Sequence, residues 1–126
     1  MPQFIERRKY RRFEIPGGKA KIGKFAGHSF FKPFSAPYPI LNASIGGVSI
    51  LCDREFSTGE DLLLELYAPE EKPIRVRAKV IWANPVPLSN DLLTGFEFFP
   101  FGDDKHLNSP KAMHTLRKLY ARYIKD

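Results

Sequence analysis

The sequence predicts a mainly β fold: short antiparallel strands forming a small barrel, with one C-terminal α-helix packed on it. Three observations carry that reading. Apolar residues alternate with a period of two in several short runs separated by turn residues. Only the last stretch of the chain repeats its apolar residues at helical spacing. No alternation of strand and helix suggests parallel βαβ units, which disfavours nucleotide-binding folds of the Rossmann or P-loop kind.

Taken in order, residues 19–25 are a weak strand candidate, rich in lysine and glycine. Residues 29–39 hold three prolines and three phenylalanines and read as an ordered, irregular connection. Val48-Ser49-Ile50-Leu51-Cys52 is a short β-prone run closed by Asp53-Arg54-Glu55. Leu62, Leu64 and Leu66 alternate after the turn at Thr58-Gly59. Ile74, Val76, Ala78, Val80 and Trp82 form the clearest period-two stripe and are assigned to the core. Arg75, Arg77 and Lys79 then occupy the other face, read as a solvated surface or, alternatively, an extension of a phosphate-binding one. Pro69-Glu70-Glu71-Lys72-Pro73 joins the two strands as a hairpin loop. After a turn rich in proline and asparagine, residues 93–99 make a further strand. The helix is expected over residues 109–125. Ser109 can cap it, and Pro110 suits the first helical position, where its missing N–H costs nothing. Ala112, Met113, Leu116, Leu119, Tyr120, Tyr123 and Ile124 supply its apolar stripe.

The chain of 126 residues is 43% hydrophobic and 27% charged, values that suit one folded domain rather than a disordered chain. We expect a basic arm over residues 1–12 and a single barrel domain over residues 13–126. The net charge of +6 is unevenly placed. Residues 7–12 contain five cations and no acid, residues 13–110 are slightly acidic, and the last helical stretch adds five more cations. Basic ends suit an anionic partner. One cysteine, Cys52, excludes an internal disulfide framework and any multi-cysteine metal site. No apolar run approaches the roughly 18 residues that span a bilayer, and Met1-Pro2-Gln3-Phe4 does not open a signal peptide. A cytoplasmic setting is expected, with no membrane span.

Two segments could carry binding chemistry. The first is Glu6-Arg7-Arg8-Lys9-Tyr10-Arg11-Arg12-Phe13, which contains Arg8-x-x-x-Arg12. A guanidinium is planar, permanently charged and forked, so it can pair with a phosphate or a guanine edge and can stack on a base. A solvated arm without a specific ligand has the same composition. The second is Leu41-Asn42-Ala43-Ser44-Ile45-Gly46-Gly47-Val48. Asn and Ser favour turns through side-chain bonds to nearby backbone, and paired glycines permit close approach. Alone, this segment also reads as a plain turn before a strand.

Together the two segments resemble the PilZ family of cyclic di-GMP receptors, whose paired signature is R-x-x-x-R followed some tens of residues later by [D/N]-x-S-x-x-G. Here these are Arg8/Arg12 and Asn42/Ser44/Gly47. Residues 13–16 look like the family's lead-in to its first strand. The strand 78–82, the strand 95–98 and a closing helix follow in the family's order. The resemblance implies a six-stranded antiparallel barrel with the arginine arm folded across one face. It further implies that Arg8 and Arg12 meet the guanines and phosphates of cyclic di-GMP. Asn42 and Ser44 would bond a guanine edge and a phosphate, and Gly47 would leave room for the ligand. Arg7 would add a third stacking plane and favour a stacked pair of ligand molecules. Where the family often has Asp, this chain has Asn42.

The remaining candidates carry less. His28, His106 and His114 are widely spaced, and no metal-ligand spacing joins them to Cys52 or to carboxylates. Cys52 reads as a small core residue, Asp103-Asp104 as a polar turn, and Phe25, Phe30, Phe31, Phe34 and Tyr38 as core or lid packing. No nucleophile elbow, Gly-rich phosphate loop or catalytic triad is visible, so no enzymatic activity, metal or cofactor is expected. The leading functional expectation is a receptor that rearranges its arm on binding cyclic di-GMP and signals to an unidentified downstream protein; a homodimer is compatible with it. The alternatives are a nucleic-acid-binding small barrel, disfavoured by the acidic body of the chain, and a PilZ-like adaptor that joins proteins without binding ligand.

Overall fold

The computed structural model describes residues 10–24, 34–102 and 106–124. The described residues form six strands, β1 (Lys19–Lys24), β2 (Tyr38–Ala43), β3 (Gly47–Cys52), β4 (Asp61–Tyr67), β5 (Ile74–Pro85) and β6 (Leu92–Phe98), followed by helix α1 (Pro110–Tyr123). They close into an antiparallel barrel in the order β1-β2-β3-β6-β5-β4, with the β1–β2 seam closed only at Lys19 opposite Pro39 and Ala20 opposite Tyr38.

Alternation places the core. Leu62, Leu64 and Leu66 from β4, Val76, Ala78 and Val80 from β5, and Phe96 and Phe98 from β6 are all buried inside the barrel. Cys52 joins them, its thiol 3.4 Å from the Thr94 hydroxyl. On the outside of the same strands, Arg75 pairs with Glu65 at 2.9 Å, Arg77 with Asp61, and Lys79 with Glu97 at 3.8 Å. This face is neutralised by its own carboxylates, which leaves it poorly suited to phosphate.

Helix α1 closes one end of the barrel. Ser109 caps it as expected, its Oγ accepting from the N–H of Ala112 at 3.1 Å, with Pro110 in the first turn. Leu116 and Leu119 are buried over Ile15, Ile40, Val48 and Leu66, and the void left beneath them is only about 10 Å³. Phe13 meets Tyr120 edge to face at 5.8 Å. Glu71 in the β4–β5 loop receives hydrogen bonds from Arg122 at 2.8 Å and Lys118 at 3.1 Å. The helix is therefore a seated plug. It ends at Tyr123, two residues short of the expected limit.

Two expectations change. Residues 38–43, read as the end of an irregular connection running into a turn, are strand β2. Its period is hidden because Pro39 interrupts it and a bulge between Ile40 and Asn42 throws Leu41 outward, 50% exposed. Residues 13–16 lie just ahead of the first strand: Phe13 makes an isolated bridge to Ala43 through two 2.8 Å backbone bonds, and β1 starts at Lys19. Trp82 is not core. Val80 faces Phe96 inside the barrel, but a bulge between Val80 and Trp82 inserts Ile81 and reverses the alternation. Trp82 then lies opposite Gly95 on the outer surface, half-buried, with its indole where a Gly95 side chain would otherwise stand.

Asn108 holds the junction between sheet and helix. Its Oδ1 accepts from the Arg77 N–H at 2.6 Å, and its Nδ2 donates to the carbonyls of Phe99 and Arg77 at 2.7 and 3.1 Å. The backbone at Asn108 has φ +50°, a conformation asparagine tolerates better than most residues.

Candidate functional site

The registers of β2, β3, β6 and β5 align four outward-facing residues in one row: Asn42 opposite Ser49, Ser49 opposite Gly95, and Gly95 opposite Trp82. Directly opposed residues of antiparallel neighbours project to the same face, and Ala43, Val48, Ile50 and Thr94 between them point inward and are buried. The chain before β1 crosses this row. The bridge at Phe13 fixes the backbone beside β2, which brings Arg12 over the Asn42–Ser49 pair. Arg12 Nη1 donates to Asn42 Oδ1 at 2.8 Å and to Ser49 Oγ at 3.3 Å. The two motifs, 30 residues apart in sequence, meet at this contact.

The β2–β3 turn forms the adjoining wall. Ser44 is buried, and its Oγ accepts from the N–H groups of Gly46 and Gly47 at 3.0 and 3.1 Å. Its own N–H donates to the Gly47 carbonyl at 2.8 Å. The hydroxyl thus builds the turn, as turn-forming serines do. Gly46 lies under the ring of Tyr10, while a Cβ on Gly47 would stand 2.3 Å from the Phe96 carbonyl oxygen. In this structure the demand for glycine at position 47 comes from the backbone of β6. Between the turn and α1 runs an open cleft of about 500 Å³, bordered by Tyr10, Arg12 and Ser44 on one side and by Phe99, Phe101 and Met113 on the other.

Of the expected site residues, the fold brings Arg12 and Asn42 into contact and puts Ser44 and Gly47 in the adjacent turn. Arg7 and Arg8 lie outside the described residues. Tyr10, Ser49 and Trp82 join the site without having been singled out for it. Ser49 was visible as the polar residue of an otherwise apolar strand. Trp82 carried no such signal, because only the bulge turns it outward. Among the described residues, no group of three or more His, Cys, Asp and Glu side chains could hold a metal ion. Among them also, no helix is long and apolar enough to cross a membrane.

A family model for the PilZ domain matches residues 6–109, a span that contains both arginines of the motif, the turn and all six strands. The chain belongs to the PilZ domain family. Solved structures agree with this PilZ assignment. The inhibitor of motility MotI/DgrA from Bacillus subtilis matches with a TM-score of 0.65 at 20% identity, over 92% of this chain and 50% of that one. YcgR from Escherichia coli in complex with c-di-GMP gives 0.67 at 18% identity, over 92% of this chain and 45% of that one. The PilZ domain of YcgR with c-di-GMP gives 0.64 at 18% identity, covering 92% and 90%. The chain thus spans about half the length of the first two and nearly all of the isolated PilZ domain. What is shared at these identities is the fold. No curated protein sequence matches the chain.

Proposed function

We propose that this PilZ chain is a cytoplasmic cyclic di-GMP receptor, without enzymatic activity, that signals to a protein partner. The observation that carries the reading is the contact of Arg12 with Asn42 and Ser49 on the rim of the cleft. Arg12 is a permanent cation placed beside Asn42 and Ser49, at the rim where an anionic ligand entering the cleft would meet it. Two of the similar structures hold c-di-GMP in a PilZ protein, which supports the same ligand here. Arg8 and Arg7, on the chain leading into Tyr10, would reach the ligand's guanines and phosphates. Each good bidentate contact to guanine is worth about 1–3 kcal/mol of discrimination. Residues 1–12 act as the ligand-responsive arm and residues 13–126 as its body, and the partner reads the arm's changed position. The ion-paired outer face of β4, β5 and β6 weighs against nucleic acid, which needs unpaired cations along the strands.

Calorimetric titration with cyclic di-GMP, with cyclic di-AMP and single-stranded DNA as controls, tests the proposal. Saturable, guanine-selective binding is expected, falling by about tenfold or more in Arg12→Ala while the circular dichroism of the barrel is unchanged. Salt-sensitive binding to DNA without a response to the dinucleotide, or full affinity retained in Arg12→Ala, refutes it. The saturating ratio also tests Arg7: two ligands per chain are expected for a stacked pair, and one rules that form out.

A further inference from the structure

Among the described residues that line the cleft, Arg12 is the one cation and Glu97 the one carboxylate. Glu97 faces outward from β6, in register with Gly47 of β3 on one side and Lys79 of β5 on the other. Gly47 sets no side chain beside it, and the Glu97 side chain is 58% exposed. Lys79 Nζ stands 3.8 Å from Glu97 Oε1, too far for a hydrogen bond. Among the described residues, therefore, both carboxylate oxygens keep their lone pairs open. The other acids of this outer face are already engaged. Glu65 accepts from Arg75 Nε at 2.9 Å and from the Tyr67 hydroxyl, and Asp61 accepts from Arg77 Nε with both oxygens at 2.9 Å. Ser44 Oγ, across the cleft, already accepts from the N–H groups of Gly46 and Gly47.

An open carboxylate in a cleft that takes an anion repels the ligand's phosphates, and Lys79 offsets that only at long range. The bases supply what the phosphates do not. Guanine O6 and N7 are acceptors and suit a guanidinium, whereas the N1–H and the 2-amino group are adjacent donors. Two donors side by side match the two oxygens of a carboxylate, which accepts with both and donates with neither. Adenine has no proton on N1 and no 2-amino group, so it gains nothing from such a partner. Resting on the cyclic di-GMP reading above and deepening it, we propose that Glu97 is a specificity-determining residue that accepts from the N1–H and 2-amino group of a guanine seated in the cleft. Arg12 and Glu97 then divide the ligand by polarity: acceptor atoms go to the cation and donor atoms to the carboxylate.

Cyclic di-GMP and cyclic di-IMP, which lacks only the 2-amino groups, test this when each is titrated against wild type, Glu97→Ala and Glu65→Ala. The quantity read is the ratio of the two dissociation constants in each protein. Wild type is expected to favour cyclic di-GMP by about tenfold or more, the scale of a charge-assisted hydrogen bond. In Glu97→Ala that preference should fall by about tenfold, with thermal unfolding unchanged because the side chain is largely exposed. Glu65→Ala removes the same charge outside the cleft and should keep the wild-type ratio. An unchanged ratio in Glu97→Ala overturns the proposal, as does an equal fall in both variants. Tighter binding of cyclic di-GMP by Glu97→Ala also overturns it, since the carboxylate would then act only by repelling phosphate. Wild type that fails to bind cyclic di-GMP at all removes the receptor reading itself. Wild type that binds it, with the same ratio in Glu97→Ala, removes only the role of Glu97.

Discussion

Gly46 and Gly47 stand side by side in the β2–β3 turn, yet alanine at the two positions should behave in opposite ways. Neither glycine has a positive φ, so the backbone itself admits alanine and the outcome depends on what the new methyl group meets. At position 47 it meets backbone: the Cβ would lie 2.3 Å from the Phe96 carbonyl oxygen and 3.5 Å from the Glu97 Cα. Carbon–oxygen contacts that short do not occur, and no side chain can swing aside to relieve this one. Strands β3 and β6 must separate locally, which strains the bond from the Phe98 N–H to the Gly46 carbonyl, 2.9 Å long, and disturbs Phe96 and Phe98 in the core. Overpacking of this kind costs about 1–3 kcal/mol, and a weakened ladder bond adds about 1 kcal/mol. Gly47→Ala should therefore lose about 2–4 kcal/mol, a fall in Tm of about 10 °C for a domain of this size. At position 46 the methyl group meets only the ring of Tyr10, at 2.8 and 3.0 Å. That ring is exposed and can rotate away. Gly46→Ala should stay within about 0.5 kcal/mol of wild type but weaken cyclic di-GMP binding, because Tyr10 is two residues from Arg12. Urea and thermal unfolding followed by circular dichroism, with ligand titration of both variants, reads the contrast. Wild-type stability in Gly47→Ala, or an equal loss in both variants, would refute the assignment of Gly47 to the sheet.

Two further predictions concern the outer face and the helix. Trp82→Ala should cost no more than about 1.5 kcal/mol, since the half-buried indole lies outside the barrel, whereas Phe96→Ala should cost about 3–5 kcal/mol through a core cavity. Trp82, the one tryptophan of the chain, should also change its fluorescence on ligand binding, and equal destabilisation of the two variants would place Trp82 back in the core. The Glu71 carboxyl is held below its ordinary value by hydrogen bonds from Arg122 and then from Lys118. A depressed carboxylate contributes stability above its unfolded pKa, near 4.5, and loses that contribution as pH falls through the folded value. Glu71→Gln should lower stability above pH 5 and so flatten this acid limb, leaving stability near pH 3 little changed, as unfolding measured from pH 3 to 7 would read; an unaltered acid limb would show that the contact does not hold the helix.

Two bulges mark where the sequence pattern stops being sufficient. Alternation identified β4 and most of β5 because each buries one face, and burial imposes a strict period of two; β3 was readable as a short β-prone run. The helix was readable from Ser109, Pro110 and the spacing of Leu116 and Leu119, since cap and stripe agree. A bulge carries no reliable mark in the sequence: Ile81 is as β-prone as its neighbours, and its insertion opposite β6 reverses every later residue. The same holds for Leu41, whose displacement brings Asn42 opposite Ser49. Without the first bulge Trp82 would point into the barrel, and without the second Asn42 would lie out of register with Ser49. The row beneath Arg12 thus exists because the strands depart from regularity at two points. The same departures hid Trp82 from the sequence pattern, and the motif residues Arg12 and Asn42 were legible only because their chemistry does not depend on strand period.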